Sequence, residues 1–311
     1  MARWYQFLIS ISPPLASHAL SSEQKKFWYE NGYLILPGFF GRQDTNAVNE
    51  VVESRMAAPG TFGGATVDPL LGPFAGRRFR AAEAPKEVWN GPVKINDLFL
   101  DEPPVMKLAL SERLTAILAD LLDGAPAVCN SLNFIWGSQQ PAHVDSWFMP
   151  APIPKHSLKL RIRQRFGYHA LVRRLVPEVW NPRLAVTSVC LEDVHKDAGP
   201  LVFYPRSHKI PPYRSADGMY TFPATEAPQC RTYVQHELEK RGLTPEHFFG
   251  REGDVFLWHG QLVHGGASIM DRRQTRKTLV THYWRAQDMD PERIVQLHKT
   301  GFYLKRTHQQ A

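Results

Sequence analysis

His143 and Asp145 stand one residue apart in the run Pro141-Ala142-His143-Val144-Asp145-Ser146-Trp147-Phe148. On an extended backbone side chains alternate faces, so His143, Asp145 and Trp147 would point one way and Val144 and Phe148 the other. An imidazole and a carboxylate placed like this can fill two adjacent corners of a coordination sphere. A second histidine from a distant strand would complete the two-histidine, one-carboxylate set used by non-haem Fe(II) oxygenases. A lone His-x-Asp is just as readily a turn or a surface pair, so the case rests on the rest of the chain.

Two histidines compete to be the third ligand in Trp258-His259-Gly260-Gln261-Leu262-Val263-His264-Gly265-Gly266. His264 is favoured, because the two glycines after it allow a neighbouring backbone or a substrate to approach closely. The competing reading of His259 is a partly buried imidazole satisfied by a backbone partner. Twelve residues beyond His264, Arg276 opens the run Arg276-Lys277-Thr278-Leu279-Val280-Thr281-His282-Tyr283-Trp284. Arg276 and Thr278 share a face of that strand. A guanidinium fork with a hydroxyl beside it suits a carboxylate, which it can grip bidentately with one further hydrogen bond. Taken alone, Arg276 is also explained as a member of the basic surface group Arg272, Arg273, Arg276 and Lys277.

Positioning these groups requires strands, and the strands lie in the second half of the chain. Stretches 127–136, 143–148, 185–191, 201–204, 255–259, 262–264 and 276–284 read as β. Helices come first: Ser21-Ser22-Glu23-Gln24 caps a helix that Gly32 ends, a second covers about 44–56, and Ser111 caps a third. In that third helix Leu114, Ile117, Leu118 and Leu121 keep helical spacing and Gly124 stops it. Strand Tyr33–Leu36 follows the first helix, and 59–87 reads as a long loop near the pocket entrance. The pattern predicts an α+β, mainly β fold: a sandwich or jelly roll with N-terminal flanking helices.

The 311 residues, 43% apolar and 22% charged, fit one globular domain over 21–311 behind an N-terminal arm over 1–20. That arm faintly resembles a secretory signal, but its apolar stretch from Trp4 to Ile11 is short and interrupted. Three separated cysteines, Cys129, Cys190 and Cys230, argue against a disulfide framework and for a reducing, cytoplasmic setting. No apolar run is long enough to span a bilayer. Between Lys155 and Arg183 eight basic residues face the single acid Glu178, and that excess of seven equals the whole net charge of +7. The charge is therefore local and does not indicate a nucleic-acid partner.

Several blocks in order carry a family resemblance. They are Phe27-x5-Tyr33 with Pro37-Gly38-Phe39-Phe40, Gln140-x2-His143-x-Asp145, Leu191-Glu192-Asp193-x5-Gly199-Pro200-Leu201-x3-Pro205-x-Ser207-His208-Lys209, Gly253-Asp254-Val255, and His264-x11-Arg276-x-Thr278. From about Ser22 to Trp284 the chain resembles the phytanoyl-CoA dioxygenase family of Fe(II)/2-oxoglutarate oxygenases. The resemblance implies a cupin-like double-stranded β-helix, with Fe(II) on His143, Asp145 and His264. It also implies 2-oxoglutarate gripped at its distal carboxylate by Arg276, with Thr278 and Gln140 beside it and O2 as the second cosubstrate. The implied reaction is oxidative decarboxylation to succinate coupled to oxidation of a C–H bond, most simply hydroxylation of a small organic or lipid-like substrate. Acyl-CoA and other anions fall within that class. Trp147 would form a wall of the substrate pocket, or else belong to the sandwich core.

The chain departs from the family pattern in two places. Arg206 stands where the family usually has glycine, and 157–182 reads as a basic insertion between the metal strand and the strand ending at Leu191. Two other readings stay open: a catalytically silent relative that binds an anionic partner through the basic insertion, and a cupin-like enzyme using manganese or zinc without 2-oxoglutarate. Arg276 and Thr278 speak against the latter, since a redox-silent metal site needs no carboxylate receptor.

Overall fold

The computed structural model describes residues 20–148, 183–215, 224–289 and 291–305. The basic insertion at 157–182 and the arm before Leu20 lie outside these residues. The first helix, α1 (Ser22–Asn31), has the capping box read from sequence: Ser21 Oγ accepts from the Gln24 amide at 3.2 Å, and Gln24 Oε1 accepts from the Ser21 amide at 2.8 Å. Gly32 closes it in the left-handed region at φ 81°. After β1 (Tyr33–Leu36) comes α2 (Arg42–Ala57). Next in the chain are β2 (Thr66–Pro69), β3 (Phe79–Arg80), β4 (Val93–Asn96), α3 (Pro103–Ala109) and α4 (Glu112–Leu122). In α4 the periodic Leu114, Ile117, Leu118 and Leu121 are all buried, as the spacing requires.

The remaining strands are β5 (Pro126–Phe134), β6 (Leu184–Cys190), β7 (Leu201–Phe203), β8 (Glu246–Phe248), β9 (Val255–His259), β10 (His264–Gly266), β11 (Thr278–Arg285), β12 (Ile294–His298) and β13 (Gly301–Leu304). Helix α5 (Ala227–Lys240) separates β7 from β8. One sheet runs β1-β9-β6-β11-β5-β4-β2-β3, and β13 joins it parallel to β5. A smaller sheet runs β10-β7-β8. The two sheets make the expected double-stranded β-helix, and helices back the larger one. On β11 the alternation is explicit: Leu279 and Tyr283 pack into the main core with Leu108, Leu114 and Leu118. Thr278, Val280 and His282 face the opposite way, into a cavity. Among the described residues, no helix is long and apolar enough to cross a membrane.

Three expectations require correction. The 59–87 stretch is not all loop, since β2 and β3 form there and extend the large sheet. The 143–148 stretch is not a strand: only His143 makes a bridge, to His264, and Asp145–Trp147 coils into a 3-10 turn. The physical cause is local pairing, because the Phe148 amide donates back to Asp145 O at 2.9 Å while the Ser146 amide donates to Gly260 O at 3.2 Å. Strand 262–264 likewise begins only at His264, after a turn in which the Leu262 amide bonds His259 O at 2.7 Å.

Candidate metal centre and active site

Strand register builds the floor of the site. Opposed residues in an antiparallel pair share a face. One row therefore runs Lys94, Phe134, Thr278, Cys190, and the next runs Asn96, Leu132, Val280, Ser188, Phe256. A third row holds Asn130, His282, Val186 and Trp258. Most of these side chains line one cavity of about 370 Å³, within the range of small-molecule sites. The roof comes from β10 and from the segment 138–148. This segment docks on β10 through paired bonds, His143 N to His264 O at 2.8 Å and His264 N to His143 O at 2.9 Å. The two glycines after His264 permit the docking. A Cβ on Gly265 would stand 2.7 Å from Gln140 O, and one on Gly266 would stand 2.6 Å from Ser138 Oγ.

The docked segments bring His143, Asp145 and His264 together, each offering one ligand atom within 4.8 Å of the others, and all three are buried. Backbone carbonyls fix both rings: His143 Nδ1 donates to Pro141 O at 2.8 Å and His264 Nδ1 to Leu262 O at 3.0 Å. Each Nε2 therefore keeps its lone pair for a metal, the usual arrangement for ligating histidines. Burial, with the neighbouring His264, pushes the His143 pKa down to about 4, so the ring is neutral near pH 7. Burial alone would raise the Asp145 carboxyl, but the imidazoles of His264, His282 and His143 together hold it below the usual carboxylate range. It is ionised and ready to bind a cation. Two imidazoles and a carboxylate are the donor set of a borderline divalent ion such as Fe(II).

A second receptor lies on the same floor. Arg276 is 6% exposed, and Nη1 makes a single bond, to Gly199 O at 2.8 Å. Its Nε and the hydroxyl of Thr278 are both buried without a partner among the described residues. Burial lowers the guanidinium pKa to about 10, and no carboxylate among the described residues offsets that effect. A buried cation and a buried hydroxyl lacking an acceptor in one cavity form a receptor for an anion, and a carboxylate fits the fork. Lys94, from β4, also faces the cavity; it pairs with Asp68 at 3.4 Å and makes no hydrogen bond among the described residues. Arg78 already holds that same carboxylate with two bonds, at 2.6 and 2.7 Å.

His143, Asp145, His264, Gln140, Arg276 and Thr278 all line the cavity. His259 does not join the cluster. Its Nδ1 accepts from the Gln261 amide at 3.1 Å, and its ring packs between Trp28 and His208. Trp147 does not line the cavity either. The 3-10 turn rotates it away from His143 and against Val144, Ile210, Val234, Leu238 and Val263. The exposed Phe148 lines the cavity instead, its ring 5.6 Å from that of His143. Three further residues escaped notice in the sequence: Lys94, Trp258 and His282. The last two touch Asp145 directly, Trp258 Nε1 donating to Oδ2 at 2.7 Å and His282 Nε2 to Oδ1 at 3.2 Å.

Comparison with known proteins agrees with this geometry. The family model for phytanoyl-CoA dioxygenase matches residues 28–276. Among solved structures, EctD from S. alaskensis with 2-oxoglutarate and 5-hydroxyectoine is 16% identical, covering 90% of this chain and 81% of that one at a TM-score of 0.56. SnoK, a non-haem alpha-ketoglutarate-dependent carbocyclase from nogalamycin biosynthesis, is 16% identical, with 86% and 85% coverage and a TM-score of 0.56. SnoN, an epimerase of the same biosynthesis, is 16% identical, with 91% and 97% coverage and a TM-score of 0.57. A comparison with curated protein sequences finds no match. With a family match over most of its length, a jelly-roll fold and a two-histidine, one-carboxylate cluster, this chain belongs to the phytanoyl-CoA dioxygenase family of non-haem Fe(II)/2-oxoglutarate-dependent oxygenases.

Proposed function

We infer that the chain hydroxylates a small organic substrate, with His143, Asp145 and His264 holding Fe(II) and with Arg276 and Thr278 receiving the distal carboxylate of 2-oxoglutarate. The observation that carries this reading is the buried guanidinium of Arg276, which has no carboxylate partner among the described residues and shares a cavity with the triad. When bound, the iron and cosubstrate supply dioxygen activation coupled to decarboxylation of the 2-oxo acid to succinate.

The protein's own part is to bind, orient and exclude water. Arg276 and Thr278 fix one end of the dianion, and Lys94, a cation lining the same cavity, suits its other carboxylate. Three protein ligands leave the remaining positions of an octahedral ion for cosubstrate and dioxygen. The substrate then lies against Leu132, Phe134 and Phe148, with Asn96, Asn130 and Arg78 available for polar contacts. That lining suits a compact molecule carrying both apolar and hydrogen-bonding groups. Asp145 fills the position that halogenating relatives leave small for a halide, so hydroxylation is expected rather than chlorination.

The test is turnover. Purified protein with Fe(II), 2-oxoglutarate and a panel of small polar and acyl substrates should yield succinate together with a product heavier by one oxygen atom. Succinate release with no dependence on Arg276 would contradict the assignment, as would a chlorinated product in chloride buffer.

A further inference from the structure

We propose that His282 is a positioning residue that makes Asp145 a one-oxygen ligand, so that a third metal position stays open. This inference rests on the reading of His143, Asp145 and His264 as the metal ligands. An aspartate carboxylate turns easily about its last torsion, which is broad and roughly two-fold. It can present one oxygen to a metal or both. Two protein ligands and a one-oxygen aspartate leave three positions of an octahedral ion, enough for a bidentate 2-oxo acid and dioxygen; a two-oxygen aspartate leaves only two. Some feature of the protein must therefore fix the torsion.

The structure supplies two N–H groups acting on the carboxylate. Trp258 Nε1 meets Oδ2 at 2.7 Å, and His282 Nε2 meets Oδ1 at 3.2 Å. Because an ionised carboxylate only accepts, the Nε2 of His282 carries the proton. The two donors stand on strands β9 and β11, both paired with Val186 of the intervening β6, so they grip the carboxylate from separate strands of a rigid floor. The two bonds are not equivalent. Oδ2 is the oxygen that faces the triad, 3.6 Å from His264 Nε2, whereas Oδ1 is the one that would have to swing inward for two-oxygen binding. His282 holds Oδ1 back. Its other nitrogen, Nδ1, is buried without a partner among the described residues, which leaves the bond to Asp145 as the one polar contact that accounts for an imidazole at this place.

The experiment counts waters on Mn(II), a redox-stable stand-in for Fe(II), by pulsed EPR in deuterated water, together with Mn(II) affinity. Native protein should hold three waters, falling to one when 2-oxoglutarate is added. His282→Leu, which keeps volume but has no donor, should bind Mn(II) with two waters, falling to none with 2-oxoglutarate. His282→Gln, whose amide nitrogen reaches about as far as Nε2, should restore three. Trp258→Phe should also keep three, since Oδ1 remains held. His282→Asn, too short to reach Oδ1, has the same expected result as His282→Leu and replaces it should that variant not fold. Three waters in His282→Leu or His282→Asn would overturn the proposal, as would two in Trp258→Phe. Failure of the native protein to bind Mn(II) would instead refute the ligand assignment itself.

Discussion

Replacing Arg276 with leucine separates the cosubstrate site from the fold. Among the described residues the guanidinium has one bond, to Gly199 O at 2.8 Å, and its Nε and the Thr278 hydroxyl are buried without partners. A bound carboxylate would gain at least two charge-assisted bonds from the fork, each worth about 1.5–3 kcal/mol. Their loss amounts to roughly 3–6 kcal/mol, or about 10²- to 10⁴-fold in 2-oxoglutarate affinity. The cost to the free protein should be much smaller. The change orphans one carbonyl, at about 1–3 kcal/mol, but it also removes a buried cation that has no counter-ion among the described residues. The assay is thermal unfolding of Mn(II)-loaded protein with and without 2-oxoglutarate. At one hundred times its dissociation constant the cosubstrate protects native protein by about 2.7 kcal/mol. In Arg276→Leu, with affinity down a hundredfold, the same concentration protects by about 0.4 kcal/mol. The difference is a lost melting shift on the order of 5 °C. Retention of 2-oxoglutarate affinity within about threefold of native would refute the reasoning.

Acidification should destabilise the metal-free protein well above the carboxylate range. Burial pushes His143 to about 4, aided by His264, and His259 to about 3, aided by His208. Both folded values lie below the unfolded value near 6.5, so the unfolded chain binds more protons and stability falls as pH drops from about 6.5 toward those values. Between pH 7 and 5 each ring should cost roughly 2 kcal/mol, read as a falling urea midpoint, and His259→Asn should halve the loss; a flat profile would contradict it. Phe148→Ala should raise the Michaelis constant of an accepted substrate several-fold with little change in melting temperature. Trp147→Ala, which strips a partly buried ring from the edge of an apolar cluster, should cost about 1–3 kcal/mol of stability, and the reverse pattern would restore Trp147 to the pocket wall.

Sequence alone disclosed the parts of this site whose chemistry is written in adjacent residues. His143-x-Asp145, His264-Gly265-Gly266 and Arg276-x-Thr278 each combine a reactive type with its neighbour, and strand parity correctly placed Arg276 and Thr278 in one cavity. Parity failed at Trp147 because it presupposes an extended backbone, and the chain coils after Val144. His282 was within reach of the same argument, since it shares parity with Thr278 and Val280 on β11. Its partner Asp145 is distant in the chain, and no local signal connects them. Lys94 and Asn96 left less trace: β4 has four residues, too few for a periodic pattern, and takes its place only through pairing with β2 and β5. The choice between His259 and His264 depended on which imidazole the turn at Gly260–Leu262 delivers to His143. Backbone bonds between segments far apart in the chain decide that.

The central claim, that His143, Asp145 and His264 hold Fe(II) in a form that chelates 2-oxoglutarate, is tested most directly by anaerobic addition of Fe(II) and 2-oxoglutarate to the purified protein. The account predicts the weak visible charge-transfer band of a chelated 2-oxo acid in native protein, its absence in His143→Ala and His264→Ala, and its retention in His259→Ala. Loss of the band in His259→Ala with retention in His264→Ala would contradict the account, and so would a native protein that never develops it.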